Sequence, residues 1–439
     1  MIIDRNLPQK IETKLGGEYN VESVVNDDGT QTLNITSAEK VFSNKSGQII
    51  DGTIEVLSAE DLKDTTHIRD NLFSGCTNLK SVTIPENIET IGISVFTNCP
   101  NITEIHCDSD NVLIADTARI FENSGSNKGI NLTFGDNVTN IPNNLCNAVY
   151  NGQGINIKHV VIPDNIVTIG DRAFKDNLCL SLVTIGENVT SIEEYAFHYC
   201  HKLIEVCNLS TLDIKNSNTN HGYIGWYAKN IYTPNAGHSK LVTDGEYVFY
   251  EDTNINYIVE YNGLDTVLIL PNKTYNYEIY KYAFYKTNIQ SLVLSDSVTA
   301  IGSYACEGCK SLTNLIISNN VVTIGEKAFY GCAITGKLII PNSVNTIAQY
   351  AFRDCAKLTE LILGTGITNI ANYVFYNTGI KEITIKAITP PAIQSSTFPS
   401  ASSITAIYIP TGTLAVYNAA TNWTKYADKF VEIDMEVEA

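Results

Sequence analysis

The stretch LKSVTIPENIETIGISVFTNCPN (Leu79–Asn101) decides the fold. Leu79, Val82 and Ile84 fall on one side of a short strand, and Pro85 closes it because proline cannot pair onward in a ladder. Ile88 and Ile91 make a second inward edge. Gly92 permits a tight bend. Val95 and Phe96 bring a short helical turn back to the core, and Asn98–Asn101 return the chain to the next strand.

The same phrase recurs along the whole chain. Ile169/Phe174, Ile192/Phe197, Ile279/Phe284, Ile324/Phe329, Ile347/Phe352 and Ile370/Phe375 repeat the pair Ile91/Phe96. Ile301 follows Ile279 by 22 residues, and Ile324, Ile347, Ile370 and Ile393 follow at steps of 23. A fixed period of this size predicts a repeat solenoid, in which each coil buries its apolar side only against its neighbours. Thirteen anchors are read: Ile68, Ile91, Ile114, Ile141, Ile169, Ile192, Ile224, Ile279, Ile301, Ile324, Ile347, Ile370 and Ile393. Arg119, Cys146, Lys229 and Cys306 stand where the Phe is expected. Steps of 27 and 28 on either side of Ile141 predict small loop insertions.

Between Ile224 and Ile279 the repeat is interrupted by LVTDGEYVFYEDTNINYIVEYNG, two alternating aromatic-rich runs about a polar turn, which predicts an inserted β-hairpin. Tyr19–Val25 and Gln31–Thr36 flank Asn-Asp-Asp-Gly, another hairpin signal. At the far end, Leu414, Tyr417, Trp423 and Tyr426 have helical spacing and suit a cap on the last coil. The expected division is a cap unit over 1–57, a first repeat half over 58–235, the hairpin over 236–265, a second repeat half over 266–411, and a helical cap and tail over 412–439.

The net charge of -18 argues against nucleic acid, whose phosphates need Lys and Arg, and against an anionic membrane surface. No stretch is apolar enough to span a bilayer. Met1–Leu15 lacks the apolar region of a signal peptide. No nucleophile elbow, phosphate loop or dinucleotide fingerprint is present, and no carboxylate pair is marked as acid and base. The chain therefore reads as non-enzymatic, with no cofactor and no metal.

Of eleven cysteines, six (Cys76, Cys99, Cys200, Cys309, Cys332 and Cys355) recur three residues after the Phe slot. That regularity predicts a buried ladder of small apolar side chains, with parallel side chains poorly placed for disulfides. His198 and His201 around Cys200 lack the paired spacing of a zinc motif.

Surface columns are the more useful signal. One outward residue per strand gives Thr83, His106, Thr133, Val161, Thr184, Cys207, Ile269, Val293, Ile316, Ile339, Ile362, Thr384 and Tyr408. From Ile269 to Ile362 the column is β-branched and apolar. Uncovered, it is a partner-binding stripe; the alternative is simple strand propensity or cover by a neighbouring segment. Tyr247, Tyr250 and Tyr257 of the hairpin are a second candidate for partner contact, with alternation placing about half of the hairpin's aromatics in its own core.

Ser81–Phe96 and Leu182–Phe197 resemble the BspA-like leucine-rich repeat family, whose unit has the form LTSVTIP-x-x-V-x-x-IG-x-x-AF-x-x-C. Ile388–Phe398 and Ile407–Trp423 resemble the C-terminal module of such proteins in gut Bacteroidales. The resemblance implies a right-handed leucine-rich-repeat superhelix, with a parallel β-sheet on the concave face and short strands and helical turns on the convex side. It also implies an extracellular or cell-surface protein that adheres to a protein or glycan on a host or microbial surface. The alternatives are a structural or assembly subunit of a cell surface or virion and, behind it, a carbohydrate-active enzyme.

Overall fold

The computed structural model describes residues 9–12, 18–25, 31–35, 54–63, 66–68, 70–126, 128–148 and 155–435. The chain divides into two compact units, Met1–Ser239 and Lys240–Ala439. Each is built from parallel coils, so the solenoid expectation holds.

In the first unit, Val56–Leu57, Ser81–Ile84, Glu104–Cys107 and Asn131–Phe134 form one parallel sheet. His159–Val161, Leu182–Ile185, Glu205–Asn208 and Asn230–Tyr232 form another. A second ladder is made of two-residue rungs at the Ile anchors. His67–Ile68, Thr90–Ile91 and Leu113–Ile114 pair in one group, and Asn140–Ile141, Thr168–Ile169 and Ser191–Ile192 in the next. In-register parallel pairing stacks each repeat position on its equivalent one coil away, so Val82 lies beside Ile105 and Ile84 beside Cys107. The inward residues are almost wholly buried. Each such side chain contributes roughly 1.5–3 kcal/mol of hydrophobic stabilisation before entropy is counted.

Phenylalanine rings run through the core as stacks. Phe73–Phe96, Phe96–Phe121 and Phe174–Phe197 stack at 5.4, 5.0 and 5.1 Å in the first unit. Phe329–Phe352, Phe352–Phe375 and Phe375–Phe398 follow at 5.1, 5.5 and 5.5 Å in the second. The ring in the coil of Ile114 is therefore Phe121. The expectation that Arg119 replaces it is corrected, since this turn is two residues longer. Ile224 is corrected likewise. It lies in a four-residue helix, Ile224–Tyr227, and not in a rung. Ile214, 22 residues after Ile192, is the buried isoleucine that precedes that turn.

The bend expected at Gly92 is made elsewhere. The regular turns have two left-handed residues, three and seven positions after the Ile: Ser94 (φ 56°) and Asn98 (φ 60°) in this coil, Tyr350 (φ 63°) and Asp354 (φ 62°) in another.

None of the eleven cysteines is in a disulfide. The ladder thiols also have a polar task. Cys99, Cys200, Cys309 and Cys355 donate to the carbonyls of Phe73, Phe174, Phe284 and Phe329 at 3.1, 3.1, 3.0 and 3.2 Å. Where a coil has no Cys, Ser124 donates to the Phe96 carbonyl instead. The position thus calls for a small side chain with a donor that satisfies a buried carbonyl.

The second unit opens with an antiparallel meander, Leu241–Asp244, Tyr247–Tyr250 and Tyr257–Tyr261. Its third strand pairs in parallel with the rung Tyr277–Ile279, and six rungs follow one another to Ala392–Ile393. Phe249, Ile258 and Tyr261 belong to the same core as the coils. At the other end, Tyr417, Trp423 and Tyr426 are fully buried, and their polar atoms donate to the carbonyls of Ala387, Pro391 and Pro399. Leu414, expected among them, is exposed. Phe430–Ile433 adds one more parallel strand.

Glu18–Val25 and Gln31–Ile35 pair antiparallel. The Asn-Asp-Asp-Gly turn expected between them lies outside the described residues, as does most of the 1–57 cap unit.

Candidate functional site: an apolar column on the sheet face

The sheet face of the second unit is made by Val267–Ile269, Ser291–Val293 and Asn314–Ile316, then by Gly336–Ile340, Leu358–Leu363, Glu382–Ile385 and Ala406–Pro410. Leu268, Leu292, Leu315, Leu338 and Leu361 point into the core. The two-residue period of a strand then turns their C-terminal neighbours outward.

Those neighbours stand in two registers, one per sheet: Ile269 beside Val293 beside Ile316, and Ile339 beside Ile362 beside Thr384 beside Tyr408, with no ladder pairing between Ile316 and Ile339. Ile269, Ile316 and Ile339 are 69%, 51% and 54% exposed, and Val293 and Ile362 are half-exposed. Single exposed aliphatics are ordinary. Three in register in one sheet and two in the next, at the same position of successive coils, make an apolar strip, which is a different object. Two residues earlier on the same face the row begins with the exposed Val267 and is polar from Ser291 to Glu360. Ser291 and Asn314 bond to each other at 2.8 Å, and Lys337 pairs with Glu360 at 2.7 Å.

The hairpin tyrosines divide. Tyr250 and Tyr257 are buried, which removes them as contact residues: their rings pack on each other at 6.2 Å, and Tyr257 packs on Tyr280 at 4.9 Å. Tyr247 is half-buried, and its hydroxyl donates to the Ile269 carbonyl at 3.5 Å, at the head of the apolar column. Burial pushes its phenol up to about 12, so it stays a neutral donor.

Among the described residues, the first unit carries no such strip. His106 bonds to Thr133 at 2.8 Å and to Asp108 at 2.8 Å. Val161 is exposed and Thr184 half-exposed. Cys207, expected to face outward, is buried.

Two surface features were not singled out from the sequence. One is a groove of about 810 Å³ in the first unit, where the rung ladder breaks between Leu113–Ile114 and Asn140–Ile141. There Asp110 supplies the missing acceptor, taking the backbone N–H groups of Thr139 and Asn140 at 2.6 and 2.8 Å. The step of 27 residues was its only trace in the sequence. The other is a run of tyrosine, lysine and arginine on the turns of the second unit.

Among the described residues, no group of three His, Cys, Asp or Glu side chains is placed to hold a metal ion. His198 stacks on Tyr199 at 3.7 Å, and the Cys200 thiol is turned to the Phe174 carbonyl. Among the same residues, no helix is long and apolar enough to cross a membrane.

No curated protein matches the chain. Three solved structures are similar. A leucine rich cell surface protein from Faecalibacterium prausnitzii A2-165 shares 18% identity over 87% of this chain and 95% of its own, with a TM-score of 0.36. The pneumococcal vaccine antigen PcpA shares 15% over 98% and 100%, with a TM-score of 0.44. A leucine-rich repeat protein from Bacteroides ovatus ATCC 8483 shares 18% over 94% and 98%, with a TM-score of 0.28. The BspA type leucine rich repeat pattern matches six copies over residues 66–204 and 277–405, more than half of the sequence, and the chain belongs to that family.

Proposed function

We propose that this protein is a non-enzymatic recognition protein of the cell surface, and that the column from Ile269 to Ile362 is where it grips a protein partner. The observation that carries this reading is five aliphatic side chains at the same position of successive strands, Ile269, Val293 and Ile316 in register in one sheet and Ile339 and Ile362 in the next, three of them at least half exposed. Such a strip offers dispersion and area burial but no hydrogen bonds, which suits an apolar protein surface better than a sugar. The polar row beside it, with the Lys337–Glu360 pair, supplies a rim. Tyr247 extends the strip at its first strand. Membership in the BspA type family supports the adhesion reading and the surface location.

The test is an array of host matrix proteins and microbial surface proteins probed with the intact chain and with the Ile316→Lys/Ile339→Lys variant. Both positions face outward, so the stability change should stay within about 0.5 kcal/mol per site. The expected result is at least a tenfold loss of every protein signal, with an unchanged melting curve. Signals that survive the double variant would make the column structural.

A further inference from the structure

We propose that the turn side of the unit Lys240–Ala439 is a second binding surface, one that takes an acidic polysaccharide strand. It lies on different residues from the apolar column and does not depend on it.

Three residues after each Ile anchor, successive coils place Tyr282, Tyr304, Lys327, Tyr350 and Tyr373 in one file. All five have left-handed backbone, with φ between 51° and 63°. Bulky residues enter that region only at a cost, so the file is not what local preference alone would select. Tyr282 and Tyr304 stack at 4.8 Å and 9°, and Tyr350 and Tyr373 at 5.5 Å and 13°. Lys327 takes the place of a ring between the two pairs, 5.1 Å over Tyr304 and 5.9 Å over Tyr350. Beside the file, the Arg353 guanidinium sits among four rings, 5.9, 5.3, 5.8 and 5.2 Å from Tyr330, Tyr350, Tyr373 and Tyr376. The turns 280–288, 302–311, 325–333, 348–357 and 371–379 hold six Lys and Arg against three Asp and Glu, on a chain whose net charge is -18. The local sign is opposite to that of the molecule.

Cations held over rings are fixed and partly stripped of water, which favours an anion that arrives along the surface. The rings lie too close together to admit a base. A base stacks on the open face of an aromatic, and within the file Tyr282 and Tyr304, and Tyr350 and Tyr373, cover each other while Lys327 covers Tyr304 and Tyr350. The surface then presents ring edges and N–H donors, the groups that meet sugar hydroxyls and carboxylate or sulfate; Tyr304 donates to Glu326 at 3.4 Å and Arg353 lies 3.5 Å from Asp354, so an arriving anion competes with those carboxylates. The spacing agrees. Lys286 and Lys327 belong to coils two rungs apart, roughly 10 Å at ~4.8 Å per rung, a distance comparable to one disaccharide. A linear polymer with one acidic group per disaccharide would meet Lys286 and Lys327 at successive repeats.

The probe is immobilised heparin, with neutral dextran and a single-stranded oligonucleotide as the other arms. The intact protein, despite its acidity, is expected to be retained on heparin at low salt, to elute as salt rises, and to pass through dextran. The Lys327→Gln/Arg353→Gln variant should bind heparin at least tenfold more weakly. Lys327→Arg/Arg353→Lys, which keeps both charges, should be retained. Lys215→Gln, in the other unit, should change nothing beyond its single charge. If the first variant fails to fold, Lys310→Gln on an exposed turn position reads the same surface, with a several-fold loss. Flow-through of the intact protein on heparin would overturn the proposal. So would unchanged retention of the Gln variants, and so would tighter capture by the oligonucleotide than by heparin.

Discussion

Asp176 shows what one side chain can do against the repeat. It fills the second left-handed position of its turn (φ 61°), where other coils place Asn98, Gly308 or Gly331. Its carboxylate is fully buried and takes Lys175 Nζ at 2.9 Å, while Oδ1 finds no partner. Burial pushes the Asp176 carboxyl above its ordinary value, and the Lys175 bond and charge only partly oppose this. A carboxyl raised by folding contributes stability that is complete below the unfolded pKa and is lost as pH rises through the folded value. The charged form is therefore the disfavoured one at neutral pH. Asn suits left-handed backbone and keeps an acceptor for Lys175. Asp176→Asn is expected to stabilise the first unit by about 1 kcal/mol at neutral pH, because it removes a charge whose burial outweighs its partner while the partly exposed Lys175 ammonium can turn to water. The gain should vanish as pH falls below about 4. Thermal melts across that range measure it. A variant less stable than the parent at neutral pH would mean that the Lys175 pair outweighs burial.

One coil is the element here, and its weight rests on the ring it adds to the stack. Phe352 lies between Phe329 and Phe375 at interplanar angles of 11° and 6° and has no exposed surface. Phe352→Ala leaves a hole that neighbouring rungs cannot close, because parallel hydrogen bonds fix their separation. The expected cost is about 3–5 kcal/mol, and Phe352→Leu should cost less than about 1.5 kcal/mol. Denaturant titration reads both, and an alanine cost under 1 kcal/mol would contradict the stacked-ring account. This ring was legible in the sequence because the period of 23 holds strictly from Ile301 to Ile393. So was the outward column, since strand alternation and period together place every member. Where the period slips, reading by spacing fails. Phe121 was missed for Arg119 because two extra residues shift the frame without changing its composition, and Ile224 was taken for a rung for the same reason. Tyr250 and Tyr257 were misplaced because alternation says that strand residues face opposite sides, but not that the meander is covered on both. The tyrosine file on the turns was passed over because aromatic residues are not expected at positive φ, although their recurrence three residues after the Ile was visible throughout.

At the scale of the whole molecule, each unit has a core of its own. The first gathers residues from Ile54 to Ala228, and the second from Phe249 to Tyr426. A solenoid's stability is a sum of coil and nearest-neighbour contributions, so an interruption in the coils is where cooperativity weakens. The cysteines report this without any added probe. Seven lie in the first unit and four in the second, and all but Cys179 are buried. At Cys99, Cys107 and Cys355 burial also pushes the thiol up, to about 11, about 12 and about 12, so that there the reactive thiolate is scarce as well as shielded. In native buffer a thiol reagent should label Cys179 promptly and the other ten only by opening of the fold. Along a denaturant series, pulsed labelling read by mass spectrometry should then release two sets in separate steps. Cys76, Cys99, Cys107, Cys146, Cys200 and Cys207 should appear in one step, and Cys306, Cys309, Cys332 and Cys355 in the other. Phe352→Ala should advance only the second set, and Asp176→Asn should delay only the first. Ten thiols released at a single midpoint would show that the chain unfolds as one body, and the division between Ser239 and Lys240 would then be geometric without being energetic.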